Sequence, residues 1–444
     1  MASAVLWQTA DQTVTLIDVP RSIAAAQGTL QQPCHDQLLS VEPLQAPFPS
    51  NEPKSEKARA NLNGNLVDQE LHGEYVALLE HALLDVRGSH TGDWCLPRPC
   101  VQDTPRVAKK RKLDEGSLAL SVNVKDQNST GTASTGEELP NDLLSSLARA
   151  GSGTAHEPRM RLLGIPPATD DPEEAIVHTH VIANPSADVA ILEVSVSAKD
   201  VAHHFHVPPQ SSFYLGDCSE VRPFRAAVRA KPQQHDTRKD FDFILLDPPW
   251  PNRSVKRTHK TAGSTYSTMT TLTNVRDVLL GMDLDMLMAE DCLVGVWTTN
   301  RPAVRDLLLG EDGLFDCWGV ELVEEWIWLK TTAHGEPVTQ LDALWRKPYE
   351  ILLLGRKRRH ASPTPPASED IMRRVLISVP DLHSRKPCLK SLVETLMADA
   401  EDYRALEVFA RHLVAGWWSW GDECIKFNWD GYWRSVEAAH AATA

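Results

Sequence analysis

The chain has 444 residues, a net charge of −15 and 42% hydrophobic residues. That length holds a full α/β domain plus at least one further region, and no apolar stretch approaches the ~20 residues a membrane helix needs. The acidic balance excludes a protein that is basic throughout, so a nucleic-acid partner would have to be met by local basic patches.

In chain order, Val5 to Val19 alternates like a strand or two, and Tyr75–Val86 spaces its apolar residues like a helix. Between them Pro49–Asn65 is polar and reads as a linker. The eight cysteines are scattered and read as reduced intracellular thiols. Cys95 and Cys100 near His90 resemble half a zinc site, but a Pro-rich loop with incidental thiols is the better reading, and no metal is expected. A second polar stretch, Gln102–Glu138, carries Lys109-Lys110-Arg111-Lys112. Four consecutive basic residues in such a setting resemble a nuclear import signal and point to the nucleus. Leu139–Ala150 and Asp171–Val177 read as helices leading into the folded half.

From Ile191 the texture changes. Apolar runs recur at Ser212–Leu215, Phe241–Leu246, Cys292–Trp297, Val320–Leu329, Tyr349–Leu354, Val375–Val379 and Leu406–Phe409. Helical stretches separate several of them, at Leu272–Met288, Ala303–Leu309 and Lys390–Met397. Strands alternating with helices predict an α/β fold with a mostly parallel, doubly wound sheet. His203-His204-Phe205-His206 reads as a structural strand end, because adjacent histidines cannot all face one ion.

The most informative residues are Asp247-Pro248-Pro249-Trp250, at the end of the run Phe241–Leu246. A buried strand that stops at a carboxylate and two prolines opens into a rigid loop, and ligands of open α/β sheets sit beyond such carboxyl ends. The loop is suited to holding a planar base whose exocyclic amine is to be modified. The Asp247 carboxylate and the Pro248 carbonyl can each accept one N–H of that amine. The prolines fix φ and donate no N–H of their own, and Trp250 offers a face for stacking. The segment that follows contains Asn252, Arg253, Lys256, Arg257 and Lys260 without an acid, which suits a polynucleotide backbone. Arg356 and Lys357, after the strand Tyr349–Leu354, are expected to extend the same basic surface.

No Gly-x-Gly-x-x-Gly or Walker sequence is present, which counts against kinases, ATPases and dehydrogenases. Candidate cosubstrate residues follow other strands. They are Asp217 and Cys218 after Ser212–Leu215, the cations of His383-Ser384-Arg385-Lys386-Pro387, and Glu407 with Arg411.

Together these pieces resemble the MT-A family of adenine-N6 methyltransferases, in particular its methyltransferase-like protein four branch. The resemblance spans about Val207 to Phe427. Beyond the Asp247–Trp250 motif it rests on Val207–Phe213, Thr299-Asn300-Arg301, Lys347-Pro348-Tyr349-Glu350, Ser378-Val379-Pro380, His383–Pro387, Glu407–Arg411 and Gly416–Gly421. It implies a Rossmann-like fold binding S-adenosyl-L-methionine, with a catalytic domain over 207–434. Before that domain lie a partly disordered N-terminal region, 1–138, and a lead-in, 139–206; a tail, 435–444, follows it. It also implies that Asp247, Pro248, Pro249 and Trp250 hold and activate the target adenine. Asp217, Cys218, Asp247, Lys386, Glu407, Arg411, Asp422 and Glu423 would then contact the cosubstrate, with Trp328 and Lys330 beside the substrate pocket. Two positions depart from the family pattern: Asp422 stands where relatives carry Asn, and His412 where this branch carries Asn.

The activity so implied is methyl transfer to adenine N6 in RNA or DNA by a monomer without an obligate partner. Small nuclear RNA, with adenosine already methylated on its ribose, is the first candidate substrate. The alternatives are a catalytically silent RNA-binding platform of the same fold, and a methyltransferase of protein or small-molecule amines. Retention of both the acid and the aromatic in Asp247–Trp250 speaks against the first, and the basic segment after it against the second.

Overall fold

The computed structural model describes residues 3–49, 68–100, 144, 147, 159–163, 181–195, 202–230, 240–251, 271–343, 346–358 and 371–435. The nuclear-import-like run Lys109–Lys112, the helix expected at Asp171–Val177, and Asn252 with the basic residues Arg253, Lys256, Arg257 and Lys260 lie outside them. So does Leu139–Ala150 apart from helical Leu144 and Leu147.

Short apolar runs that are buried on both faces make strands that only the centre of a sheet can accommodate. Runs of this kind form the middle of one eleven-stranded sheet: β1 (Val5–Gln8), β2 (Val14–Ile17), β3 (Val181–Ala183), β4 (Ser212–Leu215), β5 (Phe241–Leu246), β6 (Met288–Thr298), β7 (Val320–Lys330), β8 (Tyr349–Lys357), β9 (Met372–Ser378), β10 (Ala405–Val408) and β11 (Trp418–Gly421), with the half-buried β1 and β3 at its edges. Their order is β1-β2-β9-β7-β8-β6-β5-β10-β11-β4-β3. The pairs β2/β9, β9/β7, β6/β5, β5/β10, β10/β11 and β11/β4 run parallel, and the four others antiparallel. The expected mostly parallel α/β sheet is therefore present, with an antiparallel insertion at β8.

Helices cover both faces. Along β5, Phe241, Ile244 and Leu246 enter one buried cluster, and Phe243 and Leu245 the other. The first cluster packs under α2 (Gln69–Ser89), α3 (Val221–Ala230), α4 (Leu272–Gly281) and α5 (Pro302–Leu309), through residues such as Leu79, Phe224, Leu279 and Leu308. The second packs under α1 (Val19–Ala25) and the short α6 (Lys390–Val393), through Ile23 and Val393. Each fully buried Leu, Ile or Phe in these clusters contributes about 1.5–3 kcal/mol relative to exposure. The stretch expected as one helix, Leu272–Met288, is instead α4 followed by a 3₁₀ turn, Leu284–Leu287, broken at left-handed Asp283 (φ 48°). Lys390–Met397 likewise tightens into a 3₁₀ turn after Val393.

The N-terminal residues are part of this sheet. Val14, Thr15 and Leu16 pair in parallel with Val375, Leu376 and Ile377, so a boundary at residue 207 would cut the sheet at β2/β9 and at β3/β4. Asp18 caps α1 through the Arg21 N–H (2.9 Å) and also meets Arg98 at 3.5 Å. A separate three-stranded sheet joins Arg159–Leu163, Ala190–Ser195 and His203–Val207, placing the histidine-rich run in a strand. Among the described residues no helix is long and apolar enough to cross a membrane, and no group of three or more His, Cys, Asp or Glu can hold a metal ion.

The crossovers change sides next to β5. From β5 the chain crosses through α4 on one face to reach β6; from β9 it crosses through α6 on the other to reach β10. Beyond the carboxyl ends of β5 and β10 the sheet therefore has a topological switch point, where open α/β folds bind ligands.

Candidate active site

A cleft lies at that switch point, and Asp247, Lys386, Glu407 and Arg411 line it together with Trp297 and Phe409. Four residues read from the sequence as separate candidates are thus brought to one place. Asp247 follows β5 directly, with its N–H donating to the Val408 carbonyl of β10 (3.3 Å). Lys386 comes from the loop after β9; its Nζ lies 2.8 Å from both Oδ1 and Oδ2 of Asp247.

This pair is part of a longer chain of alternating charge. Lys386 Nζ is 3.5 Å from Glu350 Oε2, and Glu350 also accepts from Lys330 Nζ. Burial alone would raise the Glu350 carboxyl, but Lys330 and Lys386 reverse this and hold it at about 2. Burial would likewise lower the Lys386 ammonium, and the Asp247 and Glu350 carboxylates raise it instead. Lys386 is thus fixed as a cation against Asp247. Lys330 lies 4.5 Å above the Trp328 ring. Trp328 is 1% exposed, donating its indole N–H to Ser378 Oγ (2.6 Å) and meeting Trp297 edge-on.

Glu407 has the opposite character. Burial and the nearby Asp247 charge push its carboxyl up to about 8, with Lys386 and Arg411 pulling the other way, so it is mostly protonated at neutral pH. Beside the cleft, at the carboxyl ends of β4 and β11, lies a second group: Asp217, Cys218, Asp422 and Glu423. Arg411 Nε, 3.4 Å from Glu423 Oε2, connects the two. Burial, then Glu423 and Asp217, raise Asp422 to about 6. The Cys218 thiol is buried, raised well above its ordinary range by burial, and donates to the Trp420 carbonyl (3.8 Å). His412 is buried and pushed down to about 4 by burial and by Arg385.

Backbone strain collects around the cleft. Ser384 (φ 72°) and Phe409 (φ 60°) line it in the left-handed region, which costs about 1–3 kcal/mol for a non-glycine residue and is held only where its surroundings impose it. The loop carrying Lys386 is held by the N-terminal segment. Arg98 donates to the Val379 and Pro380 carbonyls (2.8 and 2.9 Å), and Arg385 to Asp381 (2.8 Å) and the Leu39 carbonyl (2.6 Å). Asp381 in turn accepts the Val41 N–H (3.1 Å).

Two expectations are corrected. Arg356 and Lys357 do not adjoin the site. β8 runs antiparallel to β6, so Ile351 pairs with Thr298 at the carboxyl end and Arg356 with Leu293. Five residues at ~3.3 Å each carry Arg356 about 17 Å away, where it donates to the Asp291 carbonyl and Lys357 to that of Met288. Trp250 is not an open stacking face either. It is 8% exposed, packs in the first core cluster and donates its indole N–H to the Trp297 carbonyl (2.7 Å). The Pro248 carbonyl accepts the Trp250 N–H (2.8 Å), leaving it one further lone pair. Glu350, Trp297 and Asp381 had no role assigned from sequence, and Arg385, read there among the cations for the cosubstrate, is instead buried against Asp381; a lone acid inside the apolar run Tyr349–Leu354 was the signal for Glu350.

The donor set fits S-adenosylmethionine. Lys386 and Arg411 offer cations for a carboxylate, Asp247 and the acids around Asp217 suit an ammonium and a sulfonium, and Glu407 suits a ribose hydroxyl.

The profile of the family described as MT-A70 matches residues 241–423, from the start of β5 to the acid that meets Arg411. The chain is 30% identical over 463 aligned positions, the whole of both chains, to "N6-methyladenosine RNA methyltransferase MTA1" of Pyricularia oryzae. It is 37% identical over 238 residues, 52% of this chain and 45% of the relative, to "N(6)-adenine-specific methyltransferase METTL4" of Homo sapiens. To the "DNA N6-methyl methyltransferase" of Caenorhabditis elegans it is 33% identical over 228 residues, 49% of this chain and 53% of the relative. A full-length match together with a carboxylate held at the switch-point cleft leads to one assignment: the chain belongs to the MT-A70 family and is an N6-adenine methyltransferase.

Proposed function

We propose that the substrate is adenine within a nucleic acid, RNA before DNA, with small nuclear RNA carrying 2′-O-methyladenosine as the first candidate, and that the chain acts as a monomer in the nucleus. The observation that carries this reading is the Asp247 carboxylate clamped by Lys386 in the cleft between β5 and β10. Adenine N6 is a poor nucleophile because its lone pair is delocalised into the ring. Asp247 accepts one of its N–H bonds and the free lone pair of the Pro248 carbonyl the other, drawing the nitrogen towards tetrahedral geometry. S-adenosylmethionine, when bound, supplies an electrophilic methyl carbon. Lys386 keeps Asp247 in one orientation, and Asp247 stabilises the positive charge that develops on N6. The surplus N6 proton then passes to water, so no strong base is needed.

Single-stranded or structured RNA is the easier substrate, since a duplex would have to extrude the base. Full-length alignment to a protein named for RNA methylation supports RNA; the nematode relative's name keeps genomic DNA as the second candidate. Mass spectrometry of nucleosides from small nuclear RNA and from DNA, with and without the protein, tests the choice. Loss of N6-methylated 2′-O-methyladenosine from small nuclear RNA is expected. Unchanged RNA with loss of N6-methyladenine from DNA would reverse it.

A further inference from the structure

On the opposite face of the sheet from the cleft, at the same carboxyl end of β6, lies a second, shallow hollow open to solvent. Trp297 lines the cleft and the next residue, Thr298, lines the hollow. Likewise Tyr349 lines the hollow while its neighbour Glu350 reaches Lys386, as expected of successive residues on a strand. The hollow also adjoins the catalytic loop, because Arg301 in its wall donates to the Pro251 carbonyl.

Its lining has the chemistry of an anion and hydroxyl site. Lys347, Arg301 and Arg305 are cationic; Arg305 is paired with the buried Glu325 (2.5 Å), which leaves Lys347 and Arg301, and the one lining acid, Asp68, is engaged in capping α2 through the Leu71 N–H (3.1 Å). Among the described residues, three buried polar atoms there have no hydrogen-bond partner: Thr299 Oγ1, Asn300 Oδ1 and Nε2 of His72, a residue only 6% exposed. His72 Nδ1 is taken by Tyr349 Oη (2.7 Å), and Asn300 Nδ2 by the Tyr349 carbonyl, so the free atoms are the remaining ones. Burial, opposed only by Asp68, pushes the Lys347 ammonium down to about 8; an entering phosphate would relieve that cost. A buried polar atom left unpaired costs about 1–3 kcal/mol, and a ligand with both anionic oxygens and hydroxyls would satisfy all three.

We infer that this hollow binds the sugar–phosphate of a nucleotide flanking the target adenine: Lys347, Thr299 and His72 contact the phosphate, and Asn300 Oδ1 accepts from a ribose hydroxyl. The inference rests on the nucleic-acid reading above. Such a contact positions the strand without reading sequence.

The test uses the whole chain and fluorescent single-stranded oligoribonucleotides of several sequences, with anisotropy titrations from 50 to 200 mM salt. Lys347→Met should weaken every sequence alike by about five- to tenfold at low salt. It should also reduce the slope of log affinity against log salt by about 0.7, the value for one phosphate on a single strand, while Lys347→Arg keeps the slope. Thr299→Val should weaken binding with the slope unchanged. In steady-state assays the oligonucleotide KM of Lys347→Met should rise by the same factor, with kcat and the cosubstrate KM unaltered. If wild type binds and methylates the oligonucleotides and Lys347→Met matches it in affinity and slope, this inference alone fails. If wild type binds no oligonucleotide, the nucleic-acid reading fails with it.

Discussion

Asp247→Asn isolates the charge of the carboxylate proposed to act on N6 from its shape. The amide keeps one acceptor oxygen but removes the negative charge that faces both Lys386 and the developing charge on N6. Two unit charges ~4 Å apart interact by about 4 kcal/mol at an effective dielectric near 20, which corresponds to a rate loss of roughly 10³-fold. Lys386 keeps Glu350 at 3.5 Å, and the Asp247 and Lys386 side chains are 20% and 18% exposed. The loss of stability should therefore stay near 1–3 kcal/mol, at or below the range for a broken buried pair. Single-turnover transfer of a radiolabelled methyl group to an oligoribonucleotide at saturating cosubstrate measures the chemical step. Calorimetric titration should show cosubstrate affinity within a few-fold of wild type. A variant that folds, binds and transfers within tenfold of the wild-type rate would show that Asp247 does not act through its charge.

The Asp381–Arg385 pair, with both side chains 0% exposed, holds the loop carrying Lys386. Arg385→Met should cost about 3–5 kcal/mol in urea unfolding by stranding Asp381, and Asp381→Leu added to it should recover much of that. Because Arg356 and Lys357 lie at the amino end of β6, replacing both by Ala should leave oligonucleotide affinity within about twofold, measured by anisotropy; a loss of tenfold would restore them to the binding surface. Glu407 is raised from 4.5 to about 8, so the native state keeps a proton that the unfolded chain has released, and stability falls as pH rises from about 5 to 8. Glu407→Gln should flatten that slope and gain on the order of 4 kcal/mol over wild type at pH 8, read from thermal melts across the range; parallel slopes would contradict the assignment.

The centre of the fold was legible because its strands are buried on both faces and carry continuous apolar runs, as at Phe241–Leu246 and Cys292–Trp297. Asp247 was legible as the point where such a run stops at a polar residue and two prolines. Strand direction was not. Arg356 and Lys357 follow a strand just as Lys386 and Arg411 do, and only the antiparallel pairing of Leu293 with Arg356 sends them to the wrong end of the sheet. Nothing in a run of alternating residues says which neighbour it will find. The short segment Val14–Ile17 joins the sheet through Val375–Ile377, some 360 positions away, a pairing that local pattern cannot encode. Trp250 misled for a related reason. An indole suits a base-stacking face and a core wall equally, and only the Trp297 carbonyl waiting for its N–H separates the two.

The charges around the cleft explain why so many ionisable groups can be gathered at the end of a buried strand. Asp247, Lys386, Glu350 and Lys330 alternate in sign and sum to zero, and Arg411 is matched by Glu423. Glu407 is the other acid in the cleft's lining, and by keeping its proton it adds no uncompensated charge at neutral pH. Each full charge in the row therefore has an opposite one within 4 Å, the condition under which partly buried ions persist without a large desolvation cost. The same balance keeps Asp247 usable. Lys386 contacts both of its oxygens, yet a carboxylate offers about four acceptor sites, and Glu350 draws on the same ammonium from the other side. Asp247 is thereby oriented by a cation that does not exhaust it, leaving acceptor capacity for an amine N–H without any side chain having to move away.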